Sequence, residues 1–254
     1  MKISFLKPNF VKSAVVKPQW HSISDIDTRR VFDDIPIKNE TLGNLLLSIK
    51  KHKDSFNMLN IEIKNAKNKV FGEEVISINT KDKTMNGINI FVNEEYRRKN
   101  YRFGELLRLA SIMEMFENKS SKINIYSKGS AVYFHSKYKF KPVLNIADEF
   151  DEVLVILSTI EKDKTPENKK LSDLANFYKK ILNSNSKLFG IEDLKKRIDD
   201  LVQEYILNMS SKDNPEKTHP FVHGIRMVLS AEDIRNNKKF FNELFKKHGI
   251  DYRI

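Results

Sequence analysis

The residues best suited to chemistry lie in one run, Phe91-Val92-Asn93-Glu94-Glu95-Tyr96-Arg97-Arg98-Lys99-Asn100-Tyr101-Arg102-Phe103-Gly104-Glu105-Leu106-Leu107. It reads as the end of an apolar strand, a basic turn and the start of an amphipathic helix. In α/β proteins that succession makes a phosphate site, because the unbonded N–H groups of a helix's first turn and the positive end of its dipole meet at one point. Arg97, Arg98, Lys99 and Arg102 would hold phosphate oxygens there, Arg through its planar fork and Lys as a point charge. Glu94 and Glu95, at the strand's end, are candidate bases. The competing reading of the same residues is a solvated turn.

Other chemistries are excluded or left without support by what the chain lacks. It has no cysteine, so disulfides, thiolate metal sites and a cysteine nucleophile are all absent. His219 and His223 are four apart, but Pro220 between them and Gly224 after them argue against one helix presenting both, so no metal site is expected. Gly43, Gly72, Gly129 and Gly190 are isolated, and no P-loop or dinucleotide fingerprint occurs. The net charge of +11 favours an anionic partner, although Lys and Asn are abundant throughout the chain. No run of eighteen apolar residues is present, so no membrane span is expected. The first eight residues carry charge without a sustained apolar core, and the protein is read as cytoplasmic.

The elements that must position the basic turn follow from periodicity. Pro8 and Pro18 make residues 1 to 20 an irregular arm or edge strand. Ser24 to Phe32 and Thr41 to Lys51 read as short helices, the second with Leu42, Leu45, Leu46 and Ile49 on one face. Met58 to Ile63, Lys69 to Asn79 and Gly87 to Val92 alternate as a three-stranded antiparallel meander, with turn residues at Asn65-Ala66-Lys67-Asn68 and at residues 81–87. Phe103 to Glu117 is a helix with a broad apolar face. Lys122 to Tyr126 is a strand, which implies a right-handed parallel crossover from the strand before the basic turn. Ser130 to Tyr138 reads as a short helix and Val153 to Ile160 as an apolar strand. Polar residues from Glu161 to Lys170 mark a boundary. Two amphipathic helices follow, then a strand from Phe221 to Leu229, a helix capped by Ser230 with Asp233, and a final strand from Ile250.

Residues 55 to 160 resemble the GNAT family of acetyl-coenzyme A dependent N-acetyltransferases. The family usually shows R/Q-x-x-G-x-G/A ahead of a Leu-rich helix. Here Lys99 takes the Arg/Gln place, Arg102 the first glycine and Gly104 the second, and registers starting at Arg98 or Arg97 remain open. Glycine belongs there because backbone must approach a pyrophosphate with no Cβ between, so Arg102 has to turn its side chain outward. The second stretch is Ala131-Val132-Tyr133-Phe134-His135-Ser136-Lys137-Tyr138-Lys139-Phe140-Lys141-Pro142. It is similar to the family's A-x-x-[FL]-Y-x-x-x-G-F, with His135 in place of a tyrosine and Lys139 in place of a glycine.

What the resemblance implies is a mixed, mostly antiparallel sheet flanked by helices. Acetyl-coenzyme A would be the co-substrate, with no metal, held along Phe91, Val92, Asn93, Arg98, Lys99, Asn100, Arg102, Phe103 and Gly104. Its pantetheine arm would add like a strand in the splay between residues 91–93 and 123–126. His135 would be the acid at the sulfur with Tyr133 in reserve, and Glu94 the base. The acceptor is an unidentified amine. The expected organisation is an arm and helical cap over 1–54, the coenzyme-binding core over 55–162 and a C-terminal α/β extension over 163–254 that completes the sheet, caps the acceptor site or forms a homodimer. The alternative is an inactive module of the same fold that binds a protein or nucleic acid through its basic surface, with nucleic acid the less expected partner.

Overall fold

Alternation of buried and less buried residues along the strands sets the sheet that positions the site. The computed structural model describes residues 19–21, 29–31, 34–39, 42–51, 57–97, 101–184, 190–210, 221 and 223–254. The meander is as expected: β5 (Met58–Asn65), β6 (Val70–Asn79) and β7 (Thr84–Val92) pair antiparallel in sequence order. Leu59, Ile61 and Ile63 of β5 and Ile76 and Ile78 of β6 point to one buried face, where the period of two places them. On that face lies α2 (Phe103–Glu117), and the crossover through it makes β8 (Lys122–Ser127) parallel to β7. Among the described residues the sheet has eight strands in the order β3-β4-β5-β6-β7-β8-β10-β9, antiparallel except at β7–β8.

Three expectations before residue 163 are corrected. The helix expected over Thr41 to Lys51 is a strand, β4 (Gly43–Lys51), held between β3 (Ile35–Asn39) and β5. Its leucines satisfy both periods, but Leu45, Leu47 and Ile49 are the buried set, and ladders on both sides settle the choice that local pattern leaves open. Within Ser24 to Phe32, residues 29–31 form a short strand β2 (Arg29–Val31) paired with β1 (Gln19–His21). The rest of that segment, like the arm at 1–18, lies outside the described residues. The apolar run Val153 to Ile160 is not a strand but the middle of α4 (Phe150–Lys162), with Val153, Ile156, Leu157 and Ile160 buried at helical spacing. A short apolar run cannot by itself separate these alternatives.

The chain beyond residue 162 is built into the same sheet. After α5 (Lys169–Asn183) and α6 (Ile191–Ser210), strand β10 (Ile225–Ser230) inserts between β8 and β9 (Lys141–Pro142). Its pairing begins at Ile225↔Ser127, later than the expected start at Phe221. Ser230 then caps α7 (Ala231–Asn236), its Oγ accepting from the Asp233 N–H at 3.0 Å, as the sequence indicates. Helix α8 (Lys238–Lys247) follows, and residues 251–254 run on as a tail rather than a strand.

Helix α2 is buried on nearly every side, charged residues included. Arg108 donates from Nη1 to Glu74 Oε1 of β6 at 2.5 Å, and Ser111 donates to Glu74 Oε2 at 2.7 Å. Both ionic side chains are almost fully enclosed. Burial pushes the Glu74 carboxyl up and the Arg108 guanidinium down, and each holds the other's charge against that pressure. Breaking such a pair on one side strands a buried charge, whereas removing both ends does not. Arg108→Met is therefore predicted to cost about 3–5 kcal/mol in urea denaturation, and adding Glu74→Leu to restore most of it. Equal losses in the single and double variants would contradict this role.

Candidate functional site

The site begins where β7 leaves β8. Their parallel register runs from Thr84↔Lys122 to Gly87↔Ile125 and stops there. At the same point the β6–β7 register slips, from Ile76↔Gly87 to Val75↔Asn89, so Ile88 is an extra residue on β7. A bulge of this kind bends its strand and raises the local twist. Beyond it β7 stays on β6 through Val92, while Tyr126 and Ser127 of β8 pair on their other side with Arg226 and Ile225 of β10. Gly87 marks the apex: a Cβ there would lie 3.0 Å from Ile125 Cγ2 and 3.6 Å from both Arg108 Nη1 and Glu74 Oε1. The buried ion pair thus sits directly beneath the point of divergence.

The unpaired stretch of β7 offers main-chain groups toward β8. The Asn93 N–H donates to Phe71 O on the β6 side at 3.0 Å. Alternation therefore turns the N–H and C=O of Ile90 and Val92 the other way. Arg97, in the single turn α1 (Glu94–Arg97), folds back so that its Nε donates to that Val92 oxygen at 2.6 Å, its guanidinium over the Phe91 ring at 5.0 Å. Phe91 and Val92, expected to line a coenzyme, thus lie along the splay, and Arg97 covers its mouth. Ile88, Phe91 and Tyr126 are exposed around it.

Of the basic turn, Arg98, Lys99 and Asn100 lie outside the described residues. Arg102 immediately precedes α2 in a left-handed backbone conformation, φ 57° and ψ 30°. That region is free to glycine and costs other residues about 1 kcal/mol. Its side chain is exposed. The first helical bond runs from the Leu106 N–H to Arg102 O, so the amides of Phe103, Gly104 and Glu105 precede the helical ladder. The Phe103 ring itself is buried, stacked on Tyr101 at 5.6 Å and packed with Phe71 and Tyr96, so only its main chain is available to a ligand. Gly104 meets a side chain rather than open space. A Cβ there would lie 2.9 Å from Phe134 Cζ of α3 (Ala131–Lys137), so glycine is needed for the α2–α3 contact.

The three side chains expected to carry proton transfer lie in different surroundings, His135 and Tyr133 enclosed and Glu94 exposed. His135 is 3% exposed, packed against Phe134 and Phe140 with no partner for Nδ1, and burial together with the Arg108 charge pushes it down to about 2. A neutral imidazole in an apolar cage is a weak acid, so the geometry does not favour His135 as the proton donor. Tyr133 is buried against Phe221, and burial plus the Asp163 charge pushes its hydroxyl up to about 12. Glu94 is exposed at the start of α1. Among the described residues, no group of three His, Asp or Glu side chains stands close enough to hold a metal ion, and no helix is long and apolar enough to cross a membrane.

Sequence reasoning missed the most heavily bonded carboxylate of the region. Glu105, in the first turn of α2, accepts from Tyr138 Oη at 2.8 Å, bonds His248 Nε2 at 2.5 Å and pairs with Lys247 Nζ at 3.1 Å. Arg102 Nη1 is 3.9 Å away. Its partners come from three elements, and Lys247 and His248 are more than 140 residues distant, beyond the reach of any local signal. Burial tends to raise the Glu105 carboxyl, but hydrogen bonds from His248 and Tyr138, with the charges of His248 and Arg102, lower it overall.

No protein-family model matches the chain, and no curated protein matches it. Several solved structures resemble part of it. One is an acetyltransferase of the GNAT family from Staphylococcus aureus Mu50, 19% identical over 36% of this chain, with a TM-score of 0.33. A second is nourseothricin acetyltransferase, 12% identical over 45% of this chain and 75% of its own, with a TM-score of 0.32. A third is Tetrahymena GCN5, 15% identical over 37% of this chain, with a TM-score of 0.33. The chain spans 58% of the length of the Staphylococcus and Tetrahymena proteins.

The Glu105 cluster has a signed pH dependence. A carboxyl lowered by folding adds stability that is complete above its unfolded value of about 4.3 and is lost as pH falls through the folded value. Glu105→Gln should therefore lower Tm at pH 7, and the gap from wild type should shrink steadily below about pH 4. A gap of constant size down to pH 2 would show that the charge on Glu105 is not what matters.

Proposed function

We propose that this protein is an N-acetyltransferase that takes its acyl group from acetyl-coenzyme A. The observation carrying the reading is the end of β7–β8 pairing at Gly87, with a bulge at Ile88 and an unpaired β7 edge that leads through the basic turn to the N terminus of α2. A strand with one unpaired side can accept an extended amide-bearing chain as its neighbour, and pantetheine is such a chain. The coenzyme's pyrophosphate would then rest on the amides of Phe103 to Glu105 with Arg98 and Lys99 beside it, while Arg97 swings off the Val92 oxygen to admit the arm.

In this reading the acceptor nitrogen attacks the thioester carbonyl carbon, the C–S bond breaks, and the sulfur leaves as thiolate. Main-chain N–H groups of the free β7 edge stabilise the oxyanion. Glu94, exposed beside that edge, is assigned as the base that takes the amine proton, directly or through water. Because His135 is neutral and enclosed, the thiolate is assigned a proton from solvent rather than from that residue. No protein nucleophile is needed, in keeping with a chain that has no cysteine.

The expected result by calorimetry is micromolar binding of acetyl-coenzyme A, weakened at least tenfold in an Arg98→Ala, Arg102→Ala double variant that keeps the wild-type Tm. Thiol release with a panel of amines should then fall at least tenfold in Glu94→Gln with little change in coenzyme affinity. No binding at millimolar acetyl-coenzyme A would overturn the reading in favour of an inactive module.

A further inference from the structure

At the other end of α2, about 20 Å from its first turn at 1.5 Å per residue, lies an open cavity of about 470 Å³. Its wall is made by Phe116 from α2, Arg235 and Lys238 from the α7–α8 junction, and Tyr252, Arg253 and Ile254 from the tail. The tail is tied in place: the Ile254 N–H donates to Asn242 Oδ1 at 3.0 Å, and the Tyr252 ring packs on Phe245 with centroids 5.2 Å apart. The Arg235 guanidinium lies 5.6 Å from the centre of the Phe116 ring.

Three basic side chains converge on the wall of this cavity. Lys141, Arg226 and Lys247 each have a carboxylate within ion-pair distance, on Asp233, Glu149 and Glu105. Arg235, Lys238 and Arg253 have no such partner among the described residues. Helix α8 begins at Lys238, and its first helical bond runs from the Phe241 N–H to Asn237 O, so the positive end of its dipole adds to the three charges. The side chain of Asn237 does not cap it, donating instead to Asp233 O at 2.8 Å.

We propose that this cavity binds a phosphate-bearing ligand with a flat ring, of about mononucleotide size. Two guanidinium forks, an ammonium and a helix N terminus suit a dianion with several acceptor oxygens better than a single carboxylate. Phe116 and Tyr252, both half-buried, supply the apolar wall for a ring, and the volume falls within the range of small-ligand pockets, roughly 300–1,000 Å³. The cavity lies at the opposite end of α2 from the proposed coenzyme site and does not depend on that reading.

The test uses ADP as probe, titrated by calorimetry beside adenosine and inorganic pyrophosphate into the full chain carrying Arg98→Ala and Arg102→Ala, because ADP is itself part of coenzyme A and would otherwise be drawn to the site proposed for it. One ADP site is expected, with adenosine at least tenfold weaker and pyrophosphate intermediate. Adding Arg235→Ala and Arg253→Ala should weaken ADP binding at least tenfold at unchanged Tm, since both side chains are exposed. No heat at millimolar ADP, or affinity undiminished by the Arg235 and Arg253 substitutions, would each overturn the proposal, whatever becomes of acetyl-coenzyme A binding.

Discussion

A strand that gives up its ladder on one side leaves main-chain donors and acceptors that something must satisfy. In this protein that happens within the sheet, between β7 and β8, rather than at an outer edge. Gly87 and Ile88 fix where it happens: Gly87 lets β8 and the Glu74–Arg108 pair approach closely, and the extra residue at 88 turns the strand away. The Arg97 side chain answers one of the freed groups, the Val92 oxygen. A ligand with its own amide groups could answer the others, which ties the functional reading to a hydrogen-bonding requirement.

Around that opening the structure is closely packed. Helix α2 brings its first turn to the mouth of the splay and its middle to the buried Glu74–Arg108 pair beneath the apex, so one rigid element spans both parts. The C-terminal extension closes the arrangement twice. Strand β10 pairs with β8 on the side away from β7 and stays with it through Tyr126 and Ser127, past the point where β7 has left. The end of α8 then places Lys247 and His248 on Glu105, so the last helix of the chain and the first turn of α2 hold one another. The extension is in this sense part of the site's support.

The sequence made some of this legible and not the rest, for identifiable reasons. The meander, α2, α3, the parallel crossover and the Ser230 cap were all carried by local period or capping chemistry. Leu42 to Ile49 misled because leucines at both helical and strand spacing coexist there, and only the neighbours β3 and β5 decide between them. Val153 to Ile160 misled in the opposite direction, since five consecutive apolar residues, Val153 to Leu157, carry no period to read. Within the site, the start of α2 was legible but the fate of the side chains around it was not. Gly104 is held by Phe134, Phe103 faces the core, and His135 is caged beside Arg108, because contacts between different elements help decide each of them. The Glu74–Arg108 pair had a faint signal, a single Arg inside the Leu-rich stretch of α2, although nothing local names its partner.

The central claim is that the free edge of β7 takes a ligand strand, and amide hydrogen exchange addresses it directly. With saturating acetyl-coenzyme A, the account predicts slowed exchange in peptides covering residues 88–93 and 101–106, while peptides from β4 and β5 exchange as before. Unchanged exchange over 88–93 at saturation would contradict it, because a coenzyme bound without engaging that edge would leave the gap between β7 and β8 with no part in function.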